Sequence, residues 1–153
     1  MTDIITQIIG AFISCVGFAI IYRAKKNRLL LGGLSAALGW AVCCIVQTQT
    51  DSIFTIYFAG AAFVTLFSEI LARITKAPAT IYLIPGLLPM VPGGSLYYTT
   101  YALVTSNKAD ASAYGTKTAL AAIGIAFGLV VVSVIMHYYN EFKLRKTNKV
   151  KTS

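Results

Sequence analysis

Five apolar runs dominate the chain: residues 4–22, 29–48, 53–74, 79–105 and 116–139. Each is close to the roughly 20 residues that a helix, rising 1.5 Å per residue, needs to cross a hydrocarbon core about 30 Å thick. Lipid offers no partner to backbone N–H and C=O groups, so such runs must satisfy them within a helix. Short polar connections separate the runs. The expected fold is an all-α polytopic membrane protein with about five transmembrane helices. It forms a single membrane domain over residues 1–153, with a basic tail at 140–153. Composition agrees: 57% of residues are hydrophobic and 12% charged, against about 25% charged in soluble domains.

The net charge of +8 does not point to nucleic acid, because the charges alternate with the runs. The first connection carries Arg23, Lys25, Lys26 and Arg28, the third Arg73 and Lys76, and the tail Lys143, Arg145, Lys146, Lys149 and Lys151. The N-terminus and the second connection, "QTQTDS", carry none. The fourth contributes Lys108, with Lys117 just inside the last run. Eleven of the thirteen Lys and Arg residues therefore fall on one side, which the positive-inside rule assigns to the cytoplasm. The N-terminus is expected outside and the C-terminus in the cytoplasm. Asp3, Asp51 and Asp110 fall on the outer side. The first run lacks a basic n-region and a nearby cleavage site, and reads as a retained helix.

The fourth run contains "LIPGLLPMVPGGSLYYTT", where Pro85, Gly86, Pro89, Pro92, Gly93 and Gly94 interrupt an apolar stretch. Each Pro removes a helix donor and clashes one turn back. The expectation is a helix broken at this motif that still crosses, since a returning segment would leave the basic tail outside. The break falls near the middle of the run, where irregular backbone needs cover from protein or a wet cavity. Discontinuous helices at such a depth build transporter sites. A second half-helix starting near Ser95 would offer free N–H groups and a positive dipole end to a carboxylate. Tyr98 and Thr99 add hydroxyls nearby. Pro85, Pro89, Pro92, Gly93, Gly94, Ser95, Tyr98 and Thr99 are thus candidates for a substrate pathway. A purely structural kink is the competing reading.

Glu69 is the one carboxylate well inside a run, which makes it a candidate for proton coupling. Arg73, four residues on, favours an interfacial ion pair instead. His137, beside Tyr138 and Tyr139, reads as part of an interfacial belt more than as a proton relay. Small residues recur at helical spacing: Gly32/Ala36, Gly33/Ala37, Ser35/Gly39 and Gly124/Gly128. They mark close packing faces, within the chain or against a partner. Cys15, Cys43 and Cys44 lie in apolar runs without CxxC spacing and read as small buried hydrophobes, not metal ligands. No Walker loop, nucleophile elbow or HExxH is present. No enzyme activity, cofactor or metal is expected.

"PMVPGGS" (89–95), with "VGFAIIYRAKKNRLLLGGLSAALGW" (16–40), resembles the small, YjjB-like subunit of the threonine/serine exporter family. The likeness covers most of the chain. It implies a multi-pass protein of the bacterial inner membrane that exports amino acids or small carboxylates, including dicarboxylates, driven by the proton gradient. It also implies a larger membrane subunit of the same family as partner. The family's Pro-Gly motif carries over as Pro89, Pro92 and Gly93. One departure is Arg23-Ala24-Lys25, where members often have Asn-x-Pro. The alternatives are a non-transporting scaffold or docking partner, and a channel whose flux ignores the proton gradient.

The charge asymmetry makes a direct prediction. A reporter that is active only outside the cytoplasm, fused at Ser153, should be silent. Activity there would overturn both the orientation and the count of crossings.

Overall fold

The computed structural model describes residues 2–21 and 26–151, except for the side chains of residues 2, 3, 19, 26–29 and 142–151. It comprises α1 (Thr2–Ile21), α2 (Lys26–Gln47), α3 (Ile53–Thr75), α4 (Thr80–Leu87), a 3-10 turn (Leu88–Met90), α5 (Gly93–Val104) and α6 (Lys108–Lys151). There is no strand among the described residues. The chain is an all-α membrane protein whose fourth apolar run is broken at the Pro/Gly motif. Leu30–Gln47, Ile53–Thr75 and Lys108–Glu141 are long and apolar enough to cross a membrane, whereas Ile4–Phe18 and Thr80–Met90 are shorter. Leucines, isoleucines and valines stand exposed along every helix. Water would not tolerate so continuous an apolar surface, and lipid covers it. The first connection, Arg23 to Lys25, and Ser153 lie outside the described residues, as do the side chains of the basic tail.

Local chemistry sets the ends of the helices. Ser52 caps α3, accepting from the Thr55 N–H and hydroxyl at 3.4 and 3.0 Å. Lys76 ends α3 in the left-handed conformation, φ 50°. The Ala77 N–H reaches back to the Ala72 carbonyl, closing a Schellman-type end before Pro78. Asn107 starts α6: its Oδ1 accepts from the Asp110 N–H, and its side-chain amide donates to the Asp110 carboxylate at 2.7 Å. That reciprocal cap, followed by an Ala-rich first turn, makes helix out of residues 108–115, which their polarity had marked as a connection. α6 therefore runs for 44 residues, about 66 Å and more than twice the hydrocarbon core.

Small residues determine the packing, and every predicted small-residue face is used within the chain. Gly33 lies under Phe12 and Val16 of α1, where an added Cβ would come within 3.0 Å of both. Gly124 and Gly128 press α6 onto the α3 backbone. A Cβ would stand 2.7 Å from the Phe54 carbonyl oxygen at the first and 2.6 Å from that of Phe58 at the second. α3 and α6 run parallel, since Arg73 near the end of α3 lies 5.7 Å from the ring centre of Tyr139. α2 and α3 run antiparallel in four-residue steps, Cys43 against Gly60 and Gly39 against Val64. That register sets Ser35 opposite Ser68.

α4 seals this pair. Tyr82, fully buried, donates to the Thr75 hydroxyl at 2.9 Å. Gly86 meets Val64 and Ser35, and Met90 meets Gly39 and Gly60. Val64 is the central residue of α3, so Gly86 lies at mid-height, and the Pro89–Gly94 break extends from there toward the α2–α3 turn. α5 then leaves α2 and α3 and packs on α6, with Thr99 against Gly115 and Tyr98 stacked on Tyr114 at 5.3 Å. Since α5 is antiparallel to α6, the chain keeps its direction through the break. Ser35 and Ser68 hold the two buried side-chain oxygens, among the described residues, that have no hydrogen-bond partner. Each unmet hydroxyl costs about 1–3 kcal/mol.

The contrast between glycines is testable. Gly128→Ala should destabilise the detergent-solubilised protein by about 1–3 kcal/mol, because a backbone carbonyl cannot yield. Gly17, with nothing within 4 Å of an added Cβ, should tolerate Ala or gain up to about 1 kcal/mol. Equal thermal shifts for the two would refute this account of the α3–α6 contact.

Candidate functional site

The break opens onto a cavity of about 230 Å³, lined by Trp40, Cys43, Cys44, Gln47, Ile53, Ile56, Tyr57, Ser95, Lys117 and Ala121. Liquid water takes about 30 Å³ per molecule, so the cavity has room for a small solute. It lies between the last turns of α2, the first turns of α3, the start of α5 and the third and fourth turns of α6. Its walls are largely apolar, with polar groups at a few points. The indole of Trp40 donates to the Gln7 side chain of α1 at 3.2 Å, which ties the cavity wall to α1.

Two features give the cavity a positive end. Pro92 caps α5 with no side-chain bond to the helix. The Gly93 N–H is held by the Val91 carbonyl at 2.7 Å and that of Leu96 by Pro92 at 3.0 Å. The N–H groups of Gly94 and Ser95 are the orphan donors that a helix start leaves open, on the positive end of its dipole. Lys117 of α6 lines the same space, its ammonium 5.6 Å from the ring centre of Tyr114. A helix N-terminus and a lysine in one cavity suit a carboxylate.

The predicted pathway residues are spread over several places. Ser95 reaches the cavity wall, its hydroxyl donating to the Pro92 carbonyl at 3.1 Å. Pro89 and Pro92 frame the irregular turn between the half-helices. Pro85 is buried within α4. Tyr98 and Thr99 serve the α5–α6 contact, and the Thr99 hydroxyl donates to the Ser95 carbonyl at 2.7 Å. Gly93 and Gly94 have ordinary negative φ and nothing within 4 Å of an added Cβ. Neither is held by tight contact. Gly39, Gly60 and Gly86, deeper in the bundle, are held so.

Glu69 and Arg73 form no ion pair among the described residues. The Arg73 guanidinium turns to Tyr139 instead, and Glu69 stays half-buried on α3 beside Ser68. His137 is exposed and stands 4.0 Å from Glu141. No group of three or more His, Cys, Asp or Glu gathers among the described residues.

Lys117, Trp40, Gln47 and Tyr57 escaped the sequence reading of the site. Lys117 carried a usable signal: it is one of two basic residues on the side that the charge bias leaves nearly bare. The other three could be placed only by the packing of α2 against α3.

No curated protein and no solved structure matches the chain. A family model described as Threonine/Serine exporter, ThrE, matches residues 7–135, which takes in α1 to α5, the break, the cavity and most of α6. The chain belongs to the threonine/serine exporter family, a family of membrane transporters.

Proposed function

We propose that the chain is a subunit of a bacterial inner-membrane secondary exporter for small carboxylates, threonine and serine or a dicarboxylate, and that the cavity at the broken helix holds the substrate carboxylate. One observation carries this reading: Lys117 and the uncapped start of α5 converge on a solute-sized cavity in a chain otherwise poor in internal charge. In this reading the helix breaks to release backbone donors that a continuous helix would spend on itself. Lys117 supplies charge and the α5 N–H groups direction, while the apolar wall accepts the small side chain. The N-terminus faces outward and the tail the cytoplasm, which sets the cavity nearer the outer surface. A larger membrane subunit of the same family completes the enclosure against α5, which carries exposed Leu96, Tyr97, Tyr101, Leu103 and Val104.

Export of labelled threonine from cells carrying both subunits, measured at matched membrane abundance, tests the reading. A hydrogen bond to a charged group contributes about 1.5–3 kcal/mol. Lys117 sits at an exposed wall, which favours the lower end. Lys117→Gln should therefore raise the apparent KM about tenfold, and Lys117→Arg should restore most of it. An unchanged KM for Lys117→Gln would move the site elsewhere and favour the docking-partner alternative.

Proton coupling is assigned to Glu69. Arg73 is committed to Tyr139, and among the described residues Glu69 forms no ion pair. Glu69→Gln should abolish uphill export while leaving exchange of internal for external threonine. Full uphill export by this variant would return Glu69 to a packing role.

A further inference from the structure

We propose that Ser35 and Ser68 form a second polar station on the transport path, separated from the cavity by Met90. This rests on the exporter reading above and extends it inward. Both serines are fully buried and their hydroxyls have no partner. Ser and Thr side chains within helices ordinarily bond back to the carbonyl one turn before. Thr65, one turn from Ser68, does so to Ala61 at 2.7 Å. The α2–α3 register sets Ser35 opposite Ser68, and the α4 backbone closes over Ser35 at Gly86. A Cβ there would stand 2.9 Å from the Ser35 oxygen. The junction is shut, and polar groups are shut inside it.

The three helices differ in how firmly they hold that closure. α2 and α3 are unbroken. α4 has only eight residues, with Pro85 inside it and Pro89 just beyond. Pro85 has no N–H for the Ile81 carbonyl. α4 is therefore the leg with least backbone cohesion, and it ends on the irregular turn.

Met90 sits on that turn, fully buried, between Gly39 and Gly60. It packs in one cluster with Cys43, Ile56 and Val64. Met90 thus lies behind the cavity-lining Cys43 and Ile56 and packs with Val64, which touches Gly86 next to Ser35. Its unbranched side chain adopts many shapes, and the glycines on either side leave a passage when it swings away. Two hydroxyls, each able to donate and to accept, then receive the ammonium or carboxylate end of the solute as it leaves Lys117.

The experiment uses the full-length chain expressed with the larger subunit that accompanies it, and threonine as probe. Ser35→Ala/Ser68→Ala removes two unmet hydroxyls and no hydrogen bond, so thermal stability should hold or rise. Threonine binding to the cavity should stay within about twofold, and export should slow at least fivefold. A second variant, Met90→Ala, should let threonine run down its gradient without coupling. Normal export by the double serine variant would overturn the proposal. Loss of cavity binding together with export would also overturn it, by assigning the effect to the cavity. Failure of the cavity reading shows separately, as an unchanged KM in Lys117→Gln.

Discussion

The close approach of α2, α3 and α4 at Gly39, Gly60 and Gly86 is the contact on which the rest of the molecule depends. Apolar helices in lipid gain nothing from hiding apolar surface from one another, since lipid tails serve as well. What holds them is van der Waals contact at short range, and only residues without side chains allow it. Val64 and Met90 fill the spaces those glycines leave, and both are fully buried. An added Cβ at Gly86 would meet Val64 and Ser35 within 2.9 Å. Without this junction α4 would have no seat, and a helix of eight residues cannot persist alone.

The break follows from the same contact. α4 is held at mid-height by Gly86, and the chain then needs a path from that seat to α6. Pro89 and Pro92 prevent the helix from continuing straight, and Met90 between them turns inward as an anchor. α5 emerges against a different partner, α6, through small residues and a stacked tyrosine pair. One apolar run thus serves two helix assemblies. The cavity is the space left where they diverge, and so it opens at the start of α5 and takes in Lys117 from α6.

Charge placement follows packing as well. Arg73 lies four residues from Glu69, a spacing that favours a pair, yet α6 brings Tyr139 into reach of the guanidinium. A pair along one helix face gains only tenths of a kcal/mol, so a ring face presented by the neighbouring helix competes on equal terms. Among the described residues Glu69 is left without an ionic partner, next to Ser68 on α3.

Much of the fold was legible in the sequence alone. Apolar runs of the length of a bilayer define helices, because lipid leaves the backbone no other partner. Three prolines and a glycine pair define a break, because proline cannot donate. Spaced glycines define contact faces. Ser95 was recognisable as the start of the second half-helix. Partners were not legible. Tyr98 and Thr99 face α6, Gly93 and Gly94 face open space, and the polar residues 108–115 join a 44-residue helix through the Asn107–Asp110 cap. Lys117 and Ser95 stand 22 positions apart in sequence, and periodicity along one helix carries no information about the rotation of its neighbour. That rotation, set by which glycine meets which side chain, decided that the lysine and the open end of α5 share one cavity, and that two serine hydroxyls are buried without a partner.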